Sequence, residues 1–334
     1  MTRIAILGGG SWGTALAIVL SRAHQAHQIS LWMRDGNLAE TLRRTRENAT
    51  YLPGQKVPQA VVVSEDAACA LAGAKAVIGA LPAAHARSTY ERILPHLDRG
   101  AAIVSATKGL EPETHLRMSE VLSQVLPSDQ GARVAVLSGP SFAAEAASGH
   151  PTAVVLASRD LGLASELQEK FAGSFFRLYT NEDVLGVELA GAMKNVIAIA
   201  AGACQGIGLG ANSLAALVTR GLAEMTRLAL ALGARPETLN GLAGLGDLVL
   251  TCTGSLSRNR QVGIELGKGR SLAEVLAGMR MVAEGVGTTR ALLALARSAR
   301  VELPITEQVS AILHEGKSPQ TAIRSIMERP LKHE

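Results

Sequence analysis

Aromatic side chains are scarce in this chain. Four Phe, three Tyr and two Trp make up 3% of the residues. Proteins that grip single-stranded nucleic acid stack bases on aromatic platforms, so this composition argues against that class. The core must instead be built from Ala, Leu, Val and Ile. Cysteine is rarer still: Cys69, Cys204 and Cys252 form an odd, widely spaced set. With no CxxC and no Cys/His cluster, neither a disulfide framework nor a zinc site is indicated, and a reducing cytoplasm fits. The eight His residues are scattered too. A lone one such as His85 reads as a surface or helix-cap residue rather than a catalyst.

A block of one charge is also missing. Lys and Arg number 33 against 29 Asp and Glu, a net of +4. They are spread out, as on a solvated surface. A mild positive balance suits small anionic ligands through local focusing. No internal repeat or low-complexity tract stands out. The most apolar stretch, Leu189 to Val218, fails as a membrane span. Glu188, Lys194 and Asn195 sit at its start, and Gly206, Gly208 and Gly210 break it. A buried helix followed by a turn is the better description. What is present is 334 residues, 47% hydrophobic and 19% charged. That is a globular composition, long enough for two domains with well-buried cores.

The first half alternates short apolar strands with helices. Strands are expected at Arg3–Leu7, Gln28–Trp32, Lys75–Leu81, Ala101–Ala106, Arg133–Leu137, Thr152–Ala157 and Phe175–Tyr179. Helices such as Thr14–Ser21, Glu113–Leu126 and Leu161–Phe171 lie between them. This alternation predicts a parallel, doubly wound α/β sheet of Rossmann type, with ligands beyond the carboxyl ends of its strands. After Asn181 the strands stop. Long Ala/Leu segments follow: Val184–Ala203, Ser213–Leu232, Ser271–Met281, Thr288–Ala299 and Thr306–Glu315. Ser271-Leu-Ala-Glu274 reads as a capping box, and Ser318-Pro319 as a helix start. The expected organisation is a nucleotide-binding domain over 1–182 and an all-helical substrate and catalytic domain over 183–334.

The N-terminus needs one distinction. Met1-Thr2-Arg3 followed by an apolar run is how a secretory signal begins. Yet Gly8, Gly9, Gly10, Ser11 and Gly13 are poor helix formers, and only Ser21-Arg22 follows Leu20 where a small-residue cleavage site belongs. Gly8, Gly10 and Gly13 instead fit GxGxxG between a strand and a helix, the context of a dinucleotide fold. The first glycine turns tightly, the second admits a pyrophosphate, and the third packs the helix on the strand. The phosphates then meet the helix N-terminus. After the second strand come Arg34 and Asp35. An acidic residue at this place takes the ribose hydroxyls of NAD, and an Arg can clamp the 2′-phosphate of NADP. Arg34 points to NADP. The plainer alternative is a surface Arg beside an Asp that caps the next helix.

Four polar stretches carry candidate chemistry. "SATKGLE" puts Lys108 just past the fourth strand, and "LSGPSFAAE" follows the fifth. "GAMKNVIAIAAG" buries Lys194 and Asn195 in an apolar helix. A lysine there is costly unless paired or functional, and burial makes a lysine a usable base. The alternative is a lysine that snorkels at a domain edge. In "GLGDLVLTCTGSLSRNR", Asp247 and Thr251 share one helical face. Asp247 could hold Lys194, or simply cap a helix after Gly246. Ser257, Arg258 and Asn259 place a hydroxyl, a guanidinium and an amide at a helix N-terminus, a ready phosphate site. Ser257 can be an N-cap at the same time.

In order along nearly the whole chain, GxGxxG, "ATKGLE", "SGPSFA", "KNVIAIAAG", "RGLAEM", "GLAGLGDLVLTCT", "SRNR" and "PITE" resemble the bacterial-type NAD(P)-dependent glycerol-3-phosphate dehydrogenases. The combination is specific where each motif alone is not. The resemblance implies that Lys194 exchanges a proton with the substrate C2 oxygen. It places Lys108 against substrate and nicotinamide, and Gly139 and Ser141 along the substrate. Asp247, Ser257, Arg258 and Asn259 would bind the substrate, with Arg258 on its phosphate. Ser11, Trp12, Arg34, Lys108, Ala143, Arg258, Val282 and Glu284 would contact the cofactor. Family members carry His or Arg at the place of Arg34. Gly285-Val-Gly-Thr-Thr289 departs from the bulkier, more polar residues often seen after Glu284. The implied reaction is reversible, NADPH-preferring reduction of dihydroxyacetone phosphate to sn-glycerol 3-phosphate for phospholipid synthesis, by a cytoplasmic homodimer. No metal and no nucleic-acid partner is expected. Two other readings stay open on the residues alone. One is a related 3-hydroxyacid or keto acid dehydrogenase, and the other is a non-catalytic dinucleotide-binding protein.

Overall fold

The computed structural model describes residues 1–127, 133–279 and 281–331. The chain forms two compact units. The first comprises residues 1–111 and 116–188, and the second 112–115 and 189–334.

The first unit is a sheet with helices on both faces. Its strands are β1 (Thr2–Leu7), β2 (His27–Trp32), β3 (Val62–Ser64), β4 (Ala76–Gly79), β5 (Ala102–Ser105), β6 (Val134–Ser138), β7 (Thr152–Ala157) and β8 (Phe176–Asn181). Their spatial order is β3-β2-β1-β4-β5-β6-β7-β8. The connecting helices are α1 (Ser11–Leu20), α2 (Gly36–Thr45), α3 (Ala67–Leu71), α4 (Ala83–Ile93), α5 (Met118–Val125), α6 (Ala143–Ala147) and α7 (Leu161–Phe171). One buried apolar cluster includes Ile6, Leu16, Leu31 and Val104, and another includes Leu7, Val77, Tyr90 and Ile103. Alternate residues of the same strands feed the two clusters, so both faces of the sheet are covered. This is why β1 reads as an almost unbroken apolar run. The order reverses between β1 and β4, which is the switch point where such sheets open a crevice.

Two features correct the expected all-parallel sheet. Strand β7 runs antiparallel to β6, while the pairs from β3 through β6 and the pair β7–β8 are parallel. Strand β7 enters the sheet at the carboxyl end of β6, with Ser138 opposite Val155 and Val136 opposite Ala157. The chain therefore comes back in the opposite sense. Strand β3 was not expected from the sequence. Its three residues, one of them exposed, are too few to set up an alternation.

The second unit is helical among the described residues. Helix α8 (Val184–Gly206) starts in the first unit, where the Glu188 carboxylate accepts hydrogen bonds from Arg117 Nη1 and from the Ser119 amide, each at 2.7 Å. It continues into the second. Then come α9 (Ala211–Ala231), α10 (Pro236–Asn240), one π-helical turn at Leu242–Gly246, α11 (Asp247–Thr253) and α12 (Arg258–Gly267). The unit ends with α13 (Leu272–Ala277), α14 (Glu284–Ala299), α15 (Pro304–His314) and α16 (Pro319–Met327). The capping box at Ser271 and Glu274 forms, and Ser318 caps α16. By length and composition alone α8 could cross a membrane, but 94% of its most apolar window is buried inside the protein. Its hydrophobicity belongs to a core helix.

Candidate functional site

In the first unit the glycine-rich loop follows β1 and opens α1. The Gly8 amide donates to the Trp32 carbonyl at 3.0 Å, with φ at 113°, a region that L side chains avoid. A Cβ on Gly8 would collide with the Ala80 carbonyl, and one on Gly13 with the Gly8 carbonyl. Those two glycines are demanded by the chain itself. A Cβ on Gly10 would meet nothing within 4 Å. The space beside Gly10 is therefore open to a group from outside the chain. The first helical bond of α1 runs from the Thr14 amide to Gly10 O, so the open end of α1 faces the glycine-rich turn. Such a terminus favours an anion. Ser11 Oγ donates to Tyr51 O at 2.7 Å, and the buried Trp12 Nε1 has no hydrogen-bond partner among the described residues. These features fit the pyrophosphate of a dinucleotide.

At the end of β2, Arg34 is exposed. The Asp35 carboxylate accepts from the Leu38 amide at 3.1 Å and caps α2. The helix-cap alternative for Asp35 thus holds.

Lys108 follows β5 and Gly139 follows β6, at the carboxyl ends of neighbouring parallel strands. Lys108 Nζ donates to Gly139 O at 2.7 Å and to Ser141 Oγ at 3.2 Å, and Ser141 Oγ donates to the same carbonyl at 2.8 Å. Gly139 has φ at 117°, and a Cβ there would lie 3.1 Å from the Val154 Cα. Ala143 opens α6 and packs against the core. Glu111, not among the expected site residues, makes a two-pronged ion pair with Arg87, at 2.8 Å for each bond. Thr107 Oγ1 donates to Leu81 O at 2.8 Å. Both contacts brace the loop that carries Lys108. Glu111 was legible only as part of "ATKGLE".

In the second unit Lys194 is 5% exposed on α8. Its Nζ lies 3.0 Å from Asp247 Oδ1 and donates to Thr251 Oγ1 at 2.8 Å. Thr251 Oγ1 donates in turn to the Asp247 carbonyl at 2.6 Å. Asp247 begins α11 directly after the π-helical turn, so the sequence expectation that it could hold Lys194 is met by geometry. A buried ammonium costs several kcal/mol unless paired, and here the carboxylate supplies the pairing. Cys252 on α11 is pushed up to about 12 by burial, against the opposing pull of Lys194. A thiol so held is not a nucleophile at neutral pH.

Asn195 faces α12. Its Oδ1 accepts from Asn259 Nδ2 at 2.9 Å, and Asn259 Oδ1 accepts from the Gly285 amide at 3.0 Å. Three helices, α8, α12 and α14, are joined by this relay. Ser257 caps α12 by accepting from the Arg260 amide at 3.2 Å. Helix α12 therefore starts at Arg258. Arg258 Nη1 donates to Val282 O at 3.2 Å. Burial pulls the Arg258 guanidinium below its ordinary value, and Glu284, the first residue of α14, opposes that shift. A cation short of water beside a helix N-terminus is suited to a phosphate. The Val282 side chain itself is exposed. Lys108, Gly139 and Ser141 are thus gathered in the first unit. Lys194, Asp247 and Thr251 form one cluster in the second, and Ser257, Arg258 and Asn259 lie at the start of the neighbouring α12, with Asn195 of α8 bonded to Asn259. Among the described residues no group of His, Cys, Asp and Glu could hold a metal ion.

Comparison with known proteins bears on these clusters. Residues 3–164 match the model for the N-terminus of NAD-dependent glycerol-3-phosphate dehydrogenase, and residues 183–324 match its C-terminus. The chain is 55% identical over 331 residues to glycerol-3-phosphate dehydrogenase [NAD(P)+] of Koribacter versatilis, covering 99% of this chain and 98% of that protein. It is 54% identical to the protein of that name from Acidobacterium capsulatum, over the full length of both. The crystal structure of glycerol-3-phosphate dehydrogenase from Coxiella burnetii has a TM-score of 0.93 at 41% identity, covering 98% of this chain and 99% of that one.

Proposed function

Because the chain belongs to the NAD(P)-dependent glycerol-3-phosphate dehydrogenases, we propose that the clusters described above perform the reduction of dihydroxyacetone phosphate to glycerol 3-phosphate. The observation that carries this assignment is the buried Lys194, held by Asp247 and Thr251. Such a lysine is shielded from bulk water, and its one proton-bearing atom has a fixed direction. Lys194 delivers a proton to the substrate C2 oxygen as negative charge develops there, and takes it back in the reverse reaction. Asp247 and Thr251 orient it and compensate its charge. When bound, the nicotinamide supplies the hydride. Arg258, aided by the N-terminus of α12 at Ser257 and Asn259, holds the substrate phosphate, and Asn195 steadies α12 beside it. Lys108, fixed by Gly139 and Ser141, contacts substrate and nicotinamide. Gly8, Gly10, Gly13, Ser11 and Trp12 receive the pyrophosphate, with Ala143, Val282 and Glu284 as further contacts.

NADP is the preferred cofactor in this assignment. The Asp35 carboxylate is committed to capping α2, which leaves the neighbouring Arg34 guanidinium exposed for a 2′-phosphate. The product feeds glycerophospholipid synthesis in the cytoplasm, in keeping with three cysteines outside any disulfide. The enzyme works as a homodimer. Exposed apolar side chains of the second unit, among them Leu209, Val249 and Leu256, are candidates for cover by a second copy.

The assay is loss of NADPH absorbance with dihydroxyacetone phosphate, repeated with NADH. Turnover with that ketone, none with pyruvate and only a slow reaction with glycerone is expected. Equal turnover with glycerone would remove the phosphate role of Arg258. A faster rate with NADH would remove the role given to Arg34.

A further inference from the structure

The glycine-rich loop is held from behind by a residue far along the chain. Asn48 is fully buried. Its Nδ2 donates to Gly9 O and to Thr14 Oγ1, both at 2.8 Å. Its Oδ1 accepts from the Tyr51 amide at 3.2 Å. Two donors and one acceptor are therefore used, and the Tyr51 N–H fixes which end of the amide faces the loop. The contact is reinforced by Ser11 Oγ, which donates to Tyr51 O at 2.7 Å. The segment carrying Asn48 is closed on itself. The Val57 amide donates to Arg46 O at 2.8 Å, and the Arg46 guanidinium donates to the carbonyls of Val57, Pro58 and Val61. Asn48 thus grips both sides of the turn, the Gly9 carbonyl before Gly10 and Thr14 in the first turn of α1.

We propose that Asn48 is a positioning residue for the cofactor phosphates: its amide sets the orientation of the Gly9–Gly10 peptide and of the α1 N-terminus that receive them. The proposal rests on Gly8 to Gly13 being the cofactor loop. It requires a donor at position 48. A carboxylate of the same shape would face the lone pairs of Gly9 O and put a negative charge behind an anion site.

The test is Asn48→Asp, with NADPH and NADP+ affinity read from quenching of protein fluorescence. At neutral pH we expect the dissociation constant to rise about tenfold or more, the cost of a lost buried bond and an added charge. The KM for dihydroxyacetone phosphate at saturating cofactor should stay within about twofold of wild type. Acidification should restore NADP+ affinity in the variant relative to wild type, because a protonated carboxyl can donate to Gly9 O as the amide does. A merely structural lesion would not recover with acid. Unchanged cofactor affinity, or a rise in both constants together, overturns the proposal. If Asn48→Asp does not fold, Thr14→Val removes one acceptor of the same amide and should weaken cofactor binding alone. Unchanged affinity there overturns it equally. Gly10→Val separates the underlying assignment, since its side chain would fill the open space beside the loop. If Gly10→Val binds cofactor normally, the loop is not the cofactor site. If it loses binding while Asn48→Asp does not, only the role of Asn48 fails.

Discussion

Replacing Gly263 with Ala should damage catalysis through packing alone. Gly263 lies on α12 where that helix crosses α8. A Cβ there would press on the Ile199 carbonyl oxygen and would stand 2.8 Å from Ala203 N and 2.9 Å from Ile199 C. An unstrained contact needs about 3.5 Å, and the Ile199 carbonyl oxygen is the nearest obstacle, so α12 must retreat by about 1 Å or more. The obstructing atoms are helix backbone and cannot rotate away. Asn259 and Asn195 lie one helical turn away on the same facing stripes, and their hydrogen bond is 2.9 Å. Adding that retreat takes it past the limit of a hydrogen bond, about 3.5 Å. Overpacking of this kind costs about 1–3 kcal/mol, and the better helix propensity of Ala returns about 1 kcal/mol. A net loss of up to about 2 kcal/mol should lower Tm by up to several degrees. The kcat/KM for dihydroxyacetone phosphate should fall by about tenfold, because a small displacement of substrate-positioning groups is expensive in the transition state. Circular dichroism melting and steady-state kinetics on the same preparation test both. Wild-type Tm together with kcat/KM within about twofold would refute the claim that the α8–α12 separation is set by contact at Gly263.

Other expected outcomes follow from single groups. Lys194→Ala should still bind NADPH by fluorescence but lose about a hundredfold or more in kcat; wild-type turnover would remove the proton-transfer role. Arg258→Ala should raise KM for dihydroxyacetone phosphate strongly while leaving the slow reaction with glycerone unchanged, as kinetics with the two ketones will show. The Glu224 carboxylate is buried and accepts from the Ile305 and Thr306 amides at 2.8 and 2.9 Å, yet burial still raises it above its ordinary value of 4.5. A carboxyl raised in the folded state contributes stability that is present below about 4.5 and lost as pH rises through its folded value. Urea unfolding from about pH 5 upward should therefore show that loss in wild type, and a flatter profile in Glu224→Ala, which will also be about 1–3 kcal/mol less stable with the α15 amides unpaired. An equally steep profile in the variant would assign the pH dependence elsewhere.

What the sequence disclosed was local. The glycine loop lies within one strand–turn–helix, and Gly8, Gly10 and Gly13 carry their reasons in their spacing. Helix α7 and strand β7 have the expected bounds, because each has a clean period and marked ends. The helix at Glu113 was placed too early. Residues 112–115 instead belong with the second unit, and α5 starts only at Met118, after His115 takes a left-handed φ of 61°. The direction of β7 was hidden for another reason. Alternation of strand and helix reports the order of elements, whereas the sense of β7 depends on which end of β6 the chain re-enters the sheet from. Asn48 was invisible. It is one polar residue in a loop, and its significance comes from Gly9, which is 39 positions away.

Lys194 and Asn195 show why the apolar character of α8 and its chemistry belong together. Consecutive residues on a helix diverge by about 100°, so two adjacent polar side chains must meet different neighbours. Lys194 meets α11 through Asp247 and Thr251, and Asn195 meets α12 through Asn259. Both can be paired only because α8 is surrounded on those sides. A helix so enclosed must be apolar at its remaining positions, which is how it acquires the hydropathy of a membrane span. Close approach to α12 is bought with small residues: Gly202 and Gly206 on α8 oppose Gly263 and Gly267 on α12, where added Cβ atoms would strike the facing backbone. Tight backbone contact leaves little room for water beside the two polar pairs. Their hydrogen bonds must then be satisfied within the protein, and each unpaired atom would carry its full desolvation cost. The same packing that makes Lys194 expensive to bury therefore fixes the direction of its Nζ.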